Sequence, residues 1–438
     1  MKSHRCFLFL SVLNLGSIGP NLLAAEAAAW PSWRGSSVTG VAAEAQPPLA
    51  WSDDKNVKWR TQIPGAGFST PIVWENQIFL LTAIETDERP TGGIEGESAG
   101  GRPKPSNFHE WVVLAIDRST GKINWQKTAR REVPHEGHHP SHGYASGSPV
   151  TDGKYLWASF GSRGLYCYDL NGNLKWEKDL GDMTSRMGFG EGASPALAGN
   201  LLIVPWDHEG ESFIVALDKS TGAEVWRKAR DERQTWTTPL IVEAAGKIQA
   251  IIPASNRTRS YDVRTGEVIW EAGGLTGNVI PMPVAGHGLA YVMSGFRGFS
   301  IQAIKLSSVG DVTETDNIVW HVRRGAPYVP SPVLSGDRLY MTKSNDAYLS
   351  CLNAFTGETH YGDQILPGVR GIYASPLAAN GYLYIFGRDG TSLVLKDGPE
   401  FEVVSTNKLS DKIDASAAMV GKELFIRGHE YLYCITEK

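Results

Sequence analysis

Four histidines lie close together in one segment of eight residues: His135, His138, His139 and His142. Imidazole is a common ligand of transition metals, and short His-rich tracts often bind them. Pro134, Gly137 and Pro140 argue against a helix here, so no single helical face collects the four rings. The segment is therefore interpreted either as a weak metal site or as a loop whose individual histidines order the chain or contact a ligand.

A second group of polar residues occupies corresponding positions in successive segments of the chain. The members taken as candidate ligand-binding residues are Arg163, Arg297, Arg388, Arg427 and His429. Guanidinium groups that converge could receive an anionic group through paired hydrogen bonds. The alternative is that each arginine pairs with a neighbouring carboxylate, and such exposed pairs contribute only about 0–1 kcal/mol.

A third group consists of acidic, amide and aromatic residues that stand shortly before copies of a recurring Ser-Pro-type phrase. Its members are Glu191, Trp236, Asn278, Tyr328, Tyr373 and Asp414. A few polar groups among aromatic walls are typical of a small-molecule pocket. The alternative interpretation is that these side chains fill or solvate a channel. No catalytic residue is assigned.

The phrase that positions this third group occurs eight times, and an apolar strand often follows it. The copies are at 69–71, 147–149, 193–195, 237–239, 281–283, 330–332, 374–376 and 415–417. Proline is tolerated at the first residue of a strand, where no ladder donor is lost. Each copy therefore predicts the opening of one sheet.

A second phrase, Ala-x-Asp-x-x-Thr-Gly-x-x-x-Trp, indicates a strand, a tight turn and a second strand. It is complete at 115–125 and 216–226, and it is shortened or altered at 167–176, 261–270 and 351–361. The Asp side chain can accept a backbone N–H within the turn, and Gly supplies positive φ. The Trp is large enough to pack between neighbouring sheets, while its N–H needs a partner.

Eight openings of 40–50 residues predict an all-β fold: an eight-bladed β-propeller of four-stranded antiparallel blades. The last unit, 415–437, has only three strands. The missing strand is available around Trp59, so N-terminal pairing with the C-terminal blade would close the ring and remove a sheet edge. In such a ring the three groups of residues described above share the mouth of the central channel.

The rest of the chain divides into an N-terminal leader, an extension and insertions. Residues 1–27 have a basic start, an apolar run and small residues, which predicts a secretory signal peptide; an uncleaved anchor is the alternative. Residues 28–55 form an N-terminal extension, and the propeller occupies 56–438. Residues 85–107 are Gly/Pro/Glu-rich and predict a flexible insertion in blade 1. A smaller acidic insertion, 311–316, replaces the Thr-Gly turn of blade 5.

Composition and charge exclude several classes of function. The chain is 42% hydrophobic with a net charge of −5, so it is neither largely disordered nor suited to neutralising nucleic acid. After the leader, no apolar run is long enough to span a bilayer. Cys167, Cys351 and Cys434 occupy similar strand positions and are interpreted as small buried residues.

The Asp-x-x-Thr-Gly-x-x-x-Trp phrase resembles the quinoprotein-type, PQQ-like propeller repeat, and the resemblance covers residues 56–437. That family includes PQQ-dependent alcohol and glucose dehydrogenases, the propeller lipoprotein of the outer-membrane barrel-assembly machinery, and secreted propellers of planctomycete-type bacteria. Segments 135–144 and 274–281 look most like the secreted group. Fold alone does not assign one of these roles.

The resemblance also implies what a dehydrogenase of this family would need. Typical members hold PQQ between a Trp and an adjacent Cys–Cys disulfide, with Ca²⁺ beside a catalytic Asp. This chain has no adjacent Cys pair and no Cys-x-x-Cys-His haem motif, although Trp236 could stack a ring and Glu191, Asn278 and Asp414 could ligate calcium.

The expectation is an exported, non-catalytic binding or scaffold protein of the cell envelope, periplasmic or secreted, with a protein partner or small ligand at the rim and no cofactor. The alternative is a PQQ/Ca²⁺-dependent dehydrogenase that oxidises an alcohol or a sugar.

Overall fold

Thirty-three short strands form eight sheets in the computed structural model, which describes residues 29–91 and 105–437. Blade 1 contains β2 (Ile72–Trp74), β3 (Gln77–Glu85), β4 (His109–Asp117) and β5 (Ile123–Glu132); blade 2 contains β6 (Val150–Thr151), β7 (Tyr155–Ser159), β8 (Leu165–Asp169) and β9 (Leu174–Lys178); blade 3 contains β10 (Ala196–Ala198), β11 (Leu201–Trp206), β12 (Phe213–Asp218) and β13 (Glu224–Ala229); blade 4 contains β14 (Leu240–Ala244), β15 (Lys247–Ile252), β16 (Thr258–Asp262) and β17 (Val268–Ala272).

The second half of the chain repeats this order. Blade 5 contains β18 (Val284–Gly286), β19 (Leu289–Ser294), β20 (Ser300–Lys305) and β22 (Ile318–Val322); blade 6 contains β23 (Val333–Ser335), β24 (Arg338–Lys343), β25 (Asp346–Asn353) and β26 (Thr359–Ile365); blade 7 contains β27 (Leu377–Ala379), β28 (Tyr382–Phe386), β29 (Thr391–Lys396) and β30 (Val403–Lys408); blade 8 contains β31 (Ala418–Val420), β32 (Glu423–Arg427), β33 (Tyr431–Ile435) and β1 (Val57–Gln62). The remaining strand, β21 (Gly310–Asp311), lies outside this pattern.

Helical structure within the described ranges is limited to two short 3₁₀ turns, Gly161–Arg163 and Arg186–Gly188. The predicted all-β, eight-bladed propeller is therefore confirmed. In the same ranges no helix has the length and apolar character needed to cross a membrane. The predicted signal peptide, 1–27, and most of the predicted insertion, 92–104, lie outside the described residues.

The ring closes where the sequence predicted. Strand β1 pairs antiparallel with β33, so that Trp59 stands opposite Cys434 and Arg60 opposite Tyr433. Blade 8 has only three strands from the C-terminal part of the chain, and β1 supplies the fourth. Each of the eight blades thereby has four strands of the repeating pattern. Closure removes an exposed sheet edge that would otherwise be open to pairing with other chains.

The ring has two faces with different loops. The connections between blades and the loops between second and third strands share one face, here called the connection face. The turns between first and second strands and between third and fourth strands share the other, here called the turn face. This division follows from the up-and-down order of strands within each blade.

The aromatic residues of the repeat join neighbouring blades near the turn face. At five junctions a Trp indole N–H donates to a backbone carbonyl in the next blade, and the ring covers the glycine of that blade's turn. The five bonds are Trp59 to Arg118, Trp125 to Leu170, Trp176 to Lys219, Trp226 to Val263 and Trp320 to Ala354, at 2.8–3.1 Å.

The glycine of each turn is required by that contact. Gly222 has a φ of 72°, and a Cβ there would come within 2.7 Å of the Trp176 ring. The turn itself is held by its aspartate, because Asp218 Oδ1 accepts the N–H and the hydroxyl of Thr221 at 2.9 Å. The repeated phrase thus encodes both a turn and the surface on which the preceding blade docks.

The serines of the opening phrases join neighbouring blades around the central channel. At six junctions a backbone N–H of one blade donates to a Ser or Thr hydroxyl oxygen of the next blade. These hydroxyl oxygens are here called the hydroxyl ring. The bonds run from Thr70 to Ser148, Ser148 to Ser194, Ser194 to Thr238, Met282 to Ser331, Ser331 to Ser375 and Ser375 to Ser416, at 2.8–3.2 Å.

Two junctions lack this bond. Between blades 4 and 5 the ring position is Met282, which has no hydroxyl. Between blades 8 and 1 the buried Thr70 Oγ1 has no partner among the described residues. There Arg427 reaches across instead, donating from Nη1 to the carbonyl of Leu81 and the hydroxyl of Ser69, both at 2.7 Å.

The junction of blades 4 and 5 also departs from the aromatic pattern. Strand β21 lies at the start of the acidic insertion of blade 5 and pairs in parallel with the outer strand β17 of blade 4. Trp270 is fully buried beneath this cover and donates to Gln249 Oε1 at 3.1 Å. The insertion thus replaces the turn on which Trp270 would otherwise dock.

The N-terminal residues from 29 onward close the turn-face end of the channel. Trp30 bridges to Val73 in blade 1, and the N–H of Thr151 in blade 2 donates to the carbonyl of Pro31. Arg34 is fully buried and donates from Nη1 to Pro376 O at 3.0 Å. Because these contacts reach both sides of the ring, the segment crosses the channel.

The three cysteines are buried strand residues, as interpreted from the sequence. Burial raises the pKa of both Cys167 and Cys351 to about 12. A thiol with so high a pKa stays protonated and unreactive near neutral pH.

Candidate functional site

The connection face holds a central cavity of about 360 Å³. Its walls come from connections between blades, and its floor includes Trp33 of the N-terminal segment, which also borders a smaller cavity on the turn-face side. Seven aromatic side chains line it: Trp33, Phe68, Phe189, Trp236, Phe296, Tyr328 and Tyr373. The cavity is therefore a pocket with a floor, within the usual size of small-molecule sites, about 300–1,000 Å³.

Four of the residues predicted from their place before the opening phrases meet in this cavity: Trp236, Tyr328, Tyr373 and Asp414. Trp236 is held by a hydrogen bond from its indole N–H to Gly190 O at 2.7 Å. Tyr328 stacks with Phe296, with ring centroids 5.0 Å apart. The phenol of Tyr373 lies 3.1 Å from the hydroxyl of Ser141. These contacts fix the aromatic walls in place.

Asp414 is the one carboxylate of the described lining, and its charge is already matched. Arg388 donates to both carboxylate oxygens at 2.6 and 3.0 Å, and His429 Nε2 lies 3.0 Å from Oδ2. Burial opposes ionisation, but the bonds from His429 and Arg388 outweigh it and lower the pKa of Asp414. Arg388 also lies over the Tyr373 ring, 3.8 Å from its centroid.

His142 contributes a hydrogen-bond donor to the cavity. Its Nδ1 accepts the N–H of Gly143 at 2.7 Å and lies 2.8 Å from the hydroxyl of Ser146. Burial and the neighbouring histidines lower the pKa of His142 to about 4, so the ring is neutral at pH 7. A neutral ring that accepts at Nδ1 carries its proton on Nε2. That proton has no acceptor among the described residues.

Three hydroxyls of the hydroxyl ring also line the cavity: Ser148, Ser194 and Ser416. Each oxygen accepts one backbone N–H from the preceding blade. A serine hydroxyl has one hydrogen to donate, and in the described part of the chain none of these three hydrogens has an acceptor. They come from blades 8, 2 and 3, so they occupy one arc of the wall.

Glu191 lies beside a second, smaller cavity of about 50 Å³ between blades 1 and 3. Its carboxylate accepts the hydroxyl of Ser162 at 2.5 Å and the N–H of the same residue at 2.7 Å. Burial raises the pKa of Glu191, although these bonds act in the opposite direction. Ligand atoms of Glu191, Glu136 and His135 lie within 4.8 Å of one another.

This trio has the residue types of a metal site, but His135 is committed to other groups. Its Nδ1 accepts from Arg163 Nη2 at 2.6 Å, while its Nε2 lies 2.8 Å from Met183 O. A metal at either nitrogen would have to replace one of these partners. The guanidinium beside the ring also opposes a second positive charge.

The structure does not bring the four clustered histidines to one point. His135 faces the smaller cavity, and His138 packs edge-on against Tyr144 with ring centroids 4.6 Å apart. His139 and His142 line the central cavity. The loop therefore distributes its imidazoles between two cavities.

The four arginines of the second group are also separate. Arg163 is buried and pairs with Glu132 and Asp182 at 2.8 and 2.7 Å. Arg388 pairs with Asp414, and Arg427 is buried at the junction of blades 8 and 1, where burial lowers its pKa to about 9. Arg297 is exposed over the Phe296 ring. No common anion site therefore forms from them.

Asn278 lies just outside the central cavity and is almost fully buried. Its Nδ2 lies 3.5 Å from the hydroxyl of Tyr328, while its Oδ1 has no partner among the described residues. Its φ of 55° lies in the left-handed region that asparagine tolerates. It therefore supports the Tyr328 wall from behind.

Several lining residues had not been identified from the sequence. Phe68 precedes an opening phrase, as Trp236 does, and Phe296 is next to Arg297, so both carried a positional signal. Phe189 lies in a connection without a repeated pattern. Trp33 had no signal, because nothing in the sequence showed that the N-terminal extension crosses the channel.

Part of the chain matches a known family model. Residues 109–280 match the family model described as outer membrane protein assembly factor BamB. Among solved structures, BamB from Moraxella catarrhalis is similar with a TM-score of 0.54 and 15% identity, over 81% of this chain and 99% of that chain. No curated protein sequence matches the chain.

Two quinohemoprotein alcohol dehydrogenases have similar folds. The enzyme from Comamonas testosteroni has a TM-score of 0.59 and 10% identity, over 96% of this chain and 83% of its own. The enzyme ADHIIG from Pseudomonas putida HK5 has a TM-score of 0.62 and 11% identity, over 95% of this chain and 82% of its own. At these identities the likeness establishes the fold alone.

Proposed function

Since this chain is a PQQ-like β-propeller protein, we propose that it is a non-catalytic binding protein that holds one small ligand in its central cavity. The proposal includes export to the cell envelope, on the basis of the basic and apolar leader at 1–27. In this proposal the ligand enters the cavity from the connection face.

The observation that carries the proposal is the floor of the cavity. The N-terminal segment crosses the turn-face end of the channel, and Trp33 closes the cavity from below. A ligand that enters from the connection face therefore meets aromatic walls on its sides and a ring beneath it. Such an enclosure removes apolar ligand surface from water, which is the main source of affinity in small-molecule sites.

Two titratable groups of the described lining are already held by neighbouring groups. Asp414 is held by Arg388 and His429, and His142 is neutral with its Nδ1 already bonded. Hydrogen-bond donors that hold a carboxylate lower its pKa and make it a weaker base. The arrangement therefore supports binding without a reaction on the ligand.

The residues present do not suit PQQ with calcium. PQQ carries three carboxylates, whereas the described lining has no Lys or Arg and one acidic side chain, Asp414. Burying anions without paired cations is costly. The calcium ligands suggested by the resemblance are also apart, since Glu191 lines the smaller cavity and Asp414 the central one. A PQQ-dependent dehydrogenase is the second candidate, because the fold is similar to those of the two quinohemoprotein alcohol dehydrogenases.

Native mass spectrometry tests the proposal. The purified protein is incubated with a small-molecule extract of the envelope of the producing cells, and bound mass is recorded. We expect one stoichiometric adduct, lost in Phe296→Ala because that ring forms a cavity wall. Phe355→Ala, which removes an exposed ring on the turn face, should keep it.

Two results would contradict the proposal. The first is no adduct, or an adduct that Phe296→Ala retains in full. The second is saturable binding of added PQQ and Ca²⁺ with alcohol- or sugar-dependent dye reduction, which would establish the dehydrogenase instead.

A further inference from the structure

We propose that the ligand of the central cavity is a neutral carbohydrate, recognised by aromatic side chains and an arc of serine hydroxyls. This inference rests on the proposed function and names the chemical class that the cavity would accept.

The charge of the lining favours a neutral ligand. Its one carboxylate, Asp414, is compensated by Arg388, and the His142 ring is uncharged at neutral pH. An anionic ligand would find no cation among the described lining residues. A cationic ligand would compete with Arg388, which already holds both oxygens of Asp414. A charged ligand would therefore be buried without a free partner, which is costly.

The uncommitted polar groups of the cavity include several donors. The hydroxyls of Ser148, Ser194 and Ser416 each accept a backbone N–H and retain a hydrogen to donate, and His142 retains its Nε2 proton. A ligand must therefore supply several acceptor oxygens. Because the serines come from different blades, those oxygens must be spread around the ligand's edge.

The walls suit a ring with apolar faces. Phe296 and Tyr328 form one stacked pair, and Trp236 with Phe189 forms another wall with ring centroids 6.3 Å apart. Aromatic rings present flat apolar surface at little conformational cost. A pyranose has C–H faces for such surfaces and hydroxyls around its edge for the donors.

The hydroxyl ring provides matched controls for the test. Ser194→Ala removes the inter-blade bond from the Ser148 N–H and a cavity hydroxyl. Ser331→Ala removes the equivalent inter-blade bond, from the Met282 N–H, at a hydroxyl outside the cavity lining. The two variants should lose similar stability, so a difference in binding between them reports the cavity hydroxyl.

Isothermal titration calorimetry with defined sugars tests the inference. The probes are glucose, galactose, mannose, xylose, N-acetylglucosamine, cellobiose, maltose and lactose, with glucuronate and glucosamine as charged analogues and cyclohexanol as an analogue without ring hydroxyls. We expect 1:1 binding of at least one neutral sugar, and binding at least about tenfold weaker for the charged analogues. Cyclohexanol should not bind measurably, since the donors would be left unpaired.

For the sugar that binds, Ser194→Ala should raise Kd about tenfold, as expected for one lost hydrogen bond in an enclosed site. Ser331→Ala should change Kd by less than about twofold, with a similar fall in melting temperature. Binding of none of the neutral sugars, or equal effects of the two variants on Kd, would overturn the inference.

Failure of this inference can be told apart from failure of the proposed function. If no sugar binds but the envelope extract still gives an adduct that Phe296→Ala loses, the cavity is a binding site for another class of ligand. If neither sugar nor extract yields a bound molecule, both proposals fail.

Discussion

The turn face and the connection face of this ring use repetition in opposite ways. On the turn face the same contact recurs at five junctions, with a Trp of one blade over a turn glycine of the next. On the connection face, corresponding positions hold different residues: Trp236 in one connection, Tyr373 in another and Asp414 in a third. Repeated residues hold the blades together, and unrepeated ones shape the cavity.

The hydroxyl ring lies between these two extremes. Six junctions repeat the same bond, yet only the arc at Ser148, Ser194 and Ser416 lines the cavity. The same residue type thus has a structural role all around the channel and, in the proposed function, an additional binding role on one side. Changes on the turn face should therefore alter stability, whereas changes on the connection face should alter binding.

The largest effect is expected from Trp176→Ala on the turn face. The ring is 9% exposed, and its loss opens a cavity between blades 2 and 3 and removes the bond to Lys219 O. We expect the free energy of unfolding to fall by about 3–5 kcal/mol in chemical denaturation. Leu174→Ala, at a half-exposed position of the same strand, should change it by less than about 0.5 kcal/mol. Equal effects would contradict the role of the Trp contact.

The second prediction separates backbone strain from blade docking. Gly222 and Gly246 have almost the same φ, 72° and 73°, but a Cβ at Gly222 would meet Trp176, whereas nothing lies within 4 Å at Gly246. Gly246→Ala should lower the free energy of unfolding by about 1–2 kcal/mol through backbone strain alone. Gly222→Ala should lower the free energy of unfolding by about 1–3 kcal/mol more than Gly246→Ala, because blades 2 and 3 must move apart to admit the methyl group. Thermal and chemical denaturation of both variants would show whether that difference exists.

A smaller effect on stability is expected from Phe296→Ala on the connection face. The ring is partly exposed and its main partner is Tyr328, so the loss should be about 0.5–1.5 kcal/mol. The binding of ligand should nevertheless be lost. A fall in stability as large as that of Trp176→Ala would contradict the proposed division between the two faces.

The smallest effect is a change in acid sensitivity. The bond from the Ser119 hydroxyl, with those from Thr120, lowers the pKa of Asp117 from its usual value near 4 to about 2. A lowered folded-state pKa adds stability above pH 4 that is lost as the pH falls towards 2. Asp117→Asn should therefore have a slightly lower melting temperature than the wild type at pH 7, but lose less of it between pH 4 and 2.

A natural precedent and a reciprocal variant sharpen that prediction. In blade 6 the same turn is held by Asn353, whose amide oxygen accepts the N–H groups of Phe355 and Thr356. Asn353→Asp should add acid sensitivity where Asp117→Asn removes it. If both variants follow the wild-type pH profile, the turn carboxylates do not contribute to acid unfolding.

The fold was predictable because its signals are local and repeated. Each Asp-x-x-Thr-Gly-x-x-x-Trp phrase forms its own turn, and eight openings gave the number of blades before any contact was known. The closing strand was predictable for the same reason, since Trp59 carries the aromatic position that the last blade lacks. Even the junction without a Thr-Gly turn was visible as the acidic insertion at 311–316.

The site was predictable only where it follows the repeat. Trp236, Tyr328, Tyr373 and Asp414 were found from their place before the opening phrases, and they do meet in the cavity. The histidines and arginines shared a segment or a corner position, but they point to different partners. Position along the repeat fixes which face a residue lies on, and not which neighbour it contacts.

The amino-acid sequence by itself determined the eight blades, the ring closure and the face on which the candidate site lies, because these depend on patterns within a few tens of residues. Only the tertiary structure decided the floor at Trp33, the proton position on His142 and the pairing of Asp414 with Arg388 and His429. These features arise where loops from distant blades and the N-terminal segment meet across the channel, and no local pattern specifies such contacts.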